Sequence, residues 1–146
     1  MHALGIDTSC YTTSVAIVNE KFEVVTQARR LLKVKEGKRG LSQSEMLYQH
    51  VRNLPELIMS VRQEYAGKID VIGVSAVPRR REDSYMPAFL AGLGTAHSLA
   101  SILRVPLYRF SHQENHVFAA IRDYPKLWEE PLYMLHLSGG TTDWVE

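Results

Sequence analysis

The chain has 146 residues, 17 Lys+Arg against 16 Asp+Glu, 45% apolar residues and one cysteine. This is one domain's worth of sequence with enough apolar material for a core, and it excludes a disordered chain, a collagen-like chain and a disulfide scaffold. Cys10 has no internal partner, so a reducing, cytoplasmic compartment is expected, and the net charge of +1 leaves any nucleic-acid contact to local clustering.

The opening residues Met1 to Asp7 lack a basic region before an apolar run and so do not read as a secretory signal. Leu4 to Ile6 and Ser14 to Val18 are β-rich apolar runs, joined by the hydroxyl-rich turn Asp7-Thr8-Ser9-Cys10-Tyr11-Thr12-Thr13. A third run, Phe22 to Leu32, follows a short link at Asn19-Glu20-Lys21, and three antiparallel strands are expected. The basic stretch Lys33 to Gly40 reads as a loop. A helix then starts at a cap on Ser42 or Ser44, with Glu45 in its first turn. Leu47, Val51, Leu54, Leu57, Ile58, Val61 and Tyr65 recur at three and four and predict its buried face, and Pro55 is expected to kink or divide it.

Ile69 to Val77 is a near-continuous apolar run, as for a strand buried on both faces. Residues 84–103 carry no charge, but five Ser, Thr or His side chains, Pro87, Gly92 and Gly94 make them too polar for a membrane span. A helix from Pro87 to Leu103, buried on most sides, with small residues for close packing, is the expectation. Val105 to Phe110 reads as a strand, Gln113 to Ile121 as a helix and Leu132 to Leu137 as a strand. A tight turn at Ser138-Gly139-Gly140-Thr141-Thr142 leads into Asp143-Trp144-Val145. The order β-β-β-α-β-α-β-α-β-β predicts an α/β fold of the ribonuclease H-like type, a mixed five-stranded sheet flanked by helices. The final strand pair reads as the start of a second lobe that this chain lacks.

Four features carry chemistry. His112 and His116, at i and i+4 at the carboxyl end of a strand, can reach one ion; two solvated histidines at a helix start are the competing reading, and a tight site needs a further ligand. Leu137-Ser138-Gly139-Gly140-Thr141-Thr142 allows backbone N–H groups close to a phosphate, and is equally a hairpin turn. The turn Asp7-Thr8-Ser9 is a candidate phosphate-facing turn or simply a turn. Arg29, Arg30, Lys33, Lys35, Lys38 and Arg39, with Arg79, Arg80 and Arg81, could meet RNA phosphates or form a solvated edge.

Together these segments resemble one family. Leu4 to Cys10 is similar to the "LGIETSC" opening of the tRNA threonylcarbamoyladenosine synthase (TsaD) family, also known as the glycoprotease or O-sialoglycoprotein endopeptidase family. Ser111-His112-Gln113-Glu114-Asn115-His116 resembles its "HHMEGH", and Leu137 to Thr142 its "VSGGHT", in the same order over the whole 146 residues. The resemblance implies the N-terminal lobe of the two-lobed actin-like ATPase (ASKHA) fold, and transfer of a threonylcarbamoyl group from an adenylate to N6 of adenosine in tRNA. It implies His112 and His116 as ligands of one divalent metal, iron or zinc. It implies His136, Leu137, Ser138, Gly139 and Gly140 as the segment that binds ATP or threonylcarbamoyl-adenylate. Implied partners are tRNA, a TsaB-like subunit or a second lobe, with no membrane.

The chain departs from the family where "CDET" becomes Cys10-Tyr11-Thr12-Thr13 and a "GPGL" loop becomes Val77 to Asp83. It departs again where the histidine of "SGGHT" becomes Thr141. A non-catalytic paralogue serving as a dimerisation subunit is therefore the second expectation, and a sugar-kinase-type phosphotransferase, in which the histidine pair has no role, the third. A peptidase is not expected, because Gln113 stands where HExxH has its general base. With a lobe missing, the fragment is expected to self-associate or expose an apolar patch near Trp144.

Overall fold

The computed structural model describes residues 1–129, 131, 133–138 and 141–145, with only the backbone of residues 125, 136–138 and 141–145. Three strands open the fold: β1 (His2–Asp7), β2 (Thr12–Asn19) and β3 (Val24–Leu31). β2 pairs antiparallel with both β1 and β3, as the short links between them require. Helix α1 (Gln43–Glu64) returns the chain to β4 (Val71–Val77), parallel to β1. Helix α2 (Phe89–Leu103) carries it on to β5 (Leu107–Ser111), parallel to β4. The sheet order is β3-β2-β1-β4-β5. Helix α3 (His112–Ile121), a 3-10 turn at Pro125–Trp128 and a separate hairpin of β6 (Met134–Ser138) and β7 (Thr141–Val145) follow.

Alternation along the strands builds the core. Leu4 and Ile6 on β1, Val15 and Ile17 on β2, and Ile72 and Val74 on β4 are buried against Leu54, Leu57 and Val61 of α1 and Ala91, Ala96 and Ala100 of α2. Each large side chain buried in this way contributes about 1.5–3 kcal/mol. The opposite face carries Ala3, Gly5, Ala16 and Gly73 and lines an open groove of about 660 Å³. β4 is therefore fully covered on one face only, and the expectation of burial on both is corrected.

The helix expectations are met at the cap of α1 and change in three details. Ser42 caps α1, accepting from the Glu45 N–H while the Glu45 carboxylate accepts from the Ser42 N–H. α1 runs unbroken through Pro55, which lies on its exposed side, where water can satisfy the carbonyl a turn earlier. Val51 is 54% exposed, and the buried face includes Met46 and His50 in its place. α2 is buried on one face only: Leu90, Ile102 and Leu103 are exposed. Among the described residues no helix is long and apolar enough to cross a membrane.

Because β1, β4 and β5 are parallel, their carboxyl ends share one edge of the sheet. Asp7, Val77 and Ser111 end there, and α3 starts there.

Candidate functional site

At that edge Asp7 is the organising group. One carboxylate oxygen accepts from the Ser9 N–H at 2.7 Å and from the Ser9 hydroxyl. The other accepts from the Ser75 hydroxyl, which in turn accepts from the Asn115 amide of α3. Ser75 sits where the β4–β5 register shifts between Ser75 and Val77; this bulge lets β4 end with a buried hydroxyl turned toward Asp7. Burial works against the charge on Asp7, but the adjoining His112 ring and the donors from Ser75 and Ser9 outweigh it. They hold the carboxyl well below the usual carboxylate range.

Ser111 caps α3 by the same reciprocal device as Ser42, accepting from the Glu114 N–H while the Glu114 carboxylate accepts from the Ser111 N–H. Glu114 also pairs with Arg80 at 2.8 Å, and the Gln113 N–H reaches the Pro78 carbonyl. The start of α3 is thereby tied to the loop after β4. One turn apart on this helix, the Nε2 atoms of His112 and His116 are 2.8 Å from each other. His112 Nδ1 is buried without a hydrogen-bond partner, 3.9 Å from the Asp7 carboxylate. An ionised carboxylate on that side favours the proton on Nδ1, so His112 Nε2 accepts and His116 Nε2 donates.

The Asp7–Ser9 turn is braced from behind. Thr8 is fully buried; its hydroxyl donates to the Ala88 carbonyl at 3.0 Å and accepts from the Gly92 N–H at 3.1 Å. A Cβ on Gly92 would lie 2.9 Å from that hydroxyl oxygen, so the close packing expected of Gly92 is with this turn. The hydroxyls of Thr8 and Ser9 are thus both engaged within the protein. His50, buried in α1, binds Thr13 Oγ1 through Nδ1 at 2.8 Å and the Cys10 carbonyl through Nε2 at 2.9 Å. The carbonyl can only accept, so Nε2 carries the proton and Nδ1 accepts from Thr13. Burial lowers the His50 pKa below the ordinary histidine value, against the raising effects of the Cys10 carbonyl and Asp7.

The structure brings Asp7, Ser9, His112 and His116 to one place. Sequence reasoning missed Ser75, Asn115 and His50. The only available signals were a serine within an apolar strand, an asparagine within the HxxxH segment and a histidine at position 50 on the helical period of the α1 core. Among the described residues no group of three or more His, Cys, Asp or Glu side chains is placed to hold a metal ion. His136, Leu137 and Ser138 lie on β6, with side chains outside the described residues; Gly139 and Gly140 lie outside them altogether. The Trp144 side chain is also outside them.

A mixed sheet in the order 3-2-1-4-5 with this helix arrangement defines an actin-like, ribonuclease H-like lobe. Among solved structures, YeaZ from Pseudomonas aeruginosa superposes with a TM-score of 0.60 at 16% identity, over 99% of this chain and 64% of that one. A putative N-acetylmannosamine kinase from Listeria monocytogenes superposes with a TM-score of 0.52 at 12% identity, over 88% and 41%. No family model matches the sequence. The chain does have curated homologues along its whole length, named tRNA N6-adenosine threonylcarbamoyltransferase. The protein from Caldicellulosiruptor saccharolyticus is 29% identical over 146 residues, 99% of this chain and 43% of its own length. The protein from Thermotoga neapolitana is 31% identical over 143 residues, 97% and 42%. A probable mitochondrial counterpart from Caenorhabditis elegans is 32% identical over 124 residues, 81% and 28%. The chain spans about two-fifths of the length of the two bacterial relatives.

Proposed function

We propose that this chain is the metal- and nucleotide-binding lobe of a tRNA threonylcarbamoyl-transfer system, acting on N6 of adenosine. The observation that carries the reading is the His112–His116 pair: two imidazole Nε2 atoms face each other beside an ionised carboxylate at the carboxyl edge of the sheet. That donor set suits a borderline divalent ion such as zinc or iron, which would take the place of the proton the two rings share. The pair supplies two ligands, so at least one more must come from beyond the described residues, from water or from a partner.

Each side chain then has a physical task. Asp7 stays charged and holds the Nδ1–H tautomer of His112, leaving Nε2 free to bind. Ser75 and Asn115 fix the Asp7 carboxylate; the Ser111–Glu114 capping pair fixes the first turn of α3 and therefore the spacing of the two rings. A bound divalent ion would supply Lewis-acid polarisation and orientation of a carbamoyl group. The Ser138-Gly139-Gly140 segment is the proposed cradle for the adenylate phosphate, through backbone donors. Tyr11, Thr12 and Thr141 stand where the resembling family has acids and a histidine. They favour a second reading, a non-catalytic subunit that keeps the lobe and its binding groups.

Calorimetry with zinc separates these elements. Weak one-site binding, at most one ion per chain, is expected, with about tenfold or greater loss on His116→Ala or His112→Ala. Equal zinc binding by wild type and both variants would refute the metal assignment. Threonylcarbamoyl transfer to tRNA, assayed with the remainder of the homologous enzyme supplied, decides between the enzyme and the silent subunit.

A further inference from the structure

Charge is spread unevenly along this nearly neutral chain. Residues 29–52 carry seven Lys or Arg and two Glu, whereas the rest carries ten Lys or Arg and fourteen Asp or Glu. The fold puts the start of this basic segment at the site edge. Leu31 pairs with Thr12, the Leu32 N–H donates to the Tyr11 carbonyl at 2.8 Å, and the Leu41 N–H donates to the Tyr11 hydroxyl. The segment is also held in shape: both the N–H and the carbonyl of Lys33 bind the Gln49 side chain of α1, at 2.8 and 3.0 Å.

Lys38 and Arg30 are compensated by Glu45 and Glu56. Lys33, Lys35 and Arg39 are exposed and form no ion pair among the described residues. Behind Lys33 lies a groove of about 460 Å³ that includes Tyr48 and Arg52. Tyr48 is 60% exposed; the Arg52 guanidinium stands over its ring, 5.6 Å from the centroid, and donates to the Tyr48 hydroxyl. Exposed cations without an ion pair, beside an exposed aromatic ring, suit a ligand with both phosphates and flat bases.

We infer that the strip Lys33, Lys35 and Arg39, with the Tyr48–Arg52 groove behind it, is a docking surface for an RNA backbone, leading one strand toward the Asp7–His112 edge. The choice of RNA rests on the tRNA-directed function proposed above.

The test is fluorescence anisotropy with the 146-residue chain and a fluorescein-labelled, unmodified anticodon stem-loop RNA of about 17 nucleotides, titrated at several salt concentrations. Three lost phosphate contacts should lower the slope of log K against log salt by about 2 in Lys33→Gln/Lys35→Gln/Arg39→Gln, with about tenfold or greater loss of affinity at low salt. Tyr48→Ala should weaken binding several-fold with the salt slope unchanged, which separates stacking from charge. A triple variant of equal charge loss elsewhere, Lys21→Gln/Lys68→Gln/Arg109→Gln, should bind as wild type. Wild-type affinity and slope in the strip variant, or no RNA binding by wild type, overturns the inference. So does equally tight, strip-dependent binding of labelled polyglutamate or of vesicles containing phosphatidylserine, which would make the partner an acidic protein or a membrane. The zinc titration needs no RNA, so it reports on the site reading independently of this result.

Discussion

Two glycines on one helix, two residues apart, should respond to the same substitution with opposite signs. Gly94 lies in α2 with nothing within 4 Å of an added Cβ. Gly94→Ala should therefore stabilise the protein by about 0.5–1 kcal/mol, from helix propensity and a less flexible unfolded chain. Gly92→Ala gains the same amount, but its Cβ would stand 2.9 Å from Thr8 Oγ1 and 3.4 Å from Ile6 Cγ2. Thr8 is buried and cannot swing away without breaking its bonds to Ala88 and Gly92. Overpacking costs about 1–3 kcal/mol, and a buried polar group left without its partner about 1–3 kcal/mol. The net for Gly92→Ala is a loss of about 1–3 kcal/mol, about 2–10 °C in Tm for a chain of this size. Thermal and urea unfolding followed by circular dichroism measure both variants. Thr8→Ala in the Gly92→Ala background removes the clash, so the two changes should cost less together than the sum of their separate effects. Equal stabilisation by both alanines would refute the claim that Thr8 wedges the β1–β2 turn against α2.

Two further outcomes are expected. The His50 pKa is lowered in the folded state, so the unfolded chain binds the proton more readily. Stability from this group is present above the ordinary histidine value of about 6.5 and lost as pH falls below it; urea midpoints should drop between pH 7 and 5, and less steeply in His50→Gln. Ser111→Ala removes the cap of α3 and should cost about 0.5–2 kcal/mol in urea unfolding, and it should weaken zinc binding by loosening the turn that carries His112.

Much of this fold was legible because the sequence signals its elements locally. Two short links force β1, β2 and β3 into antiparallel pairing, and helical spacing between strands forces the parallel return of β4 and β5. The capping pairs Ser42–Glu45 and Ser111–Glu114 obey the same local rule, although only Ser42 was expected as a cap. What was not legible depends on contacts distant in sequence. Val51 satisfies the apolar period of α1, yet the helix is rolled so that His50 takes the inner position, because the Cys10 carbonyl and Thr13 offer it two hydrogen bonds across 37 to 40 residues. Ser75 sits inside an apolar run and is recruited only because Asp7 and Asn115 meet it from two other elements. Pro55 signals a break that the helix avoids by turning that residue to solvent.

The hydroxyl-rich turn after β1 shows how the site depends on the fold. A turn of seven residues rich in hydroxyls would be expected to move, yet its inward groups are bound by three other parts of the fold. Thr8 is held by the start of α2, Asp7 by the end of β4 and through it by α3, and Cys10 and Thr13 by the middle of α1. Buried polar groups of this kind cost stability when unpaired, so the arrangement is stable only when all of these elements are in place together. The carboxylate of Asp7 is therefore set by the tertiary fold, and the tautomer of His112 is set by that carboxylate. The chemistry at the histidine pair rests on contacts up to 84 residues apart in sequence, and the Thr8–Gly92 bond is the longest of these.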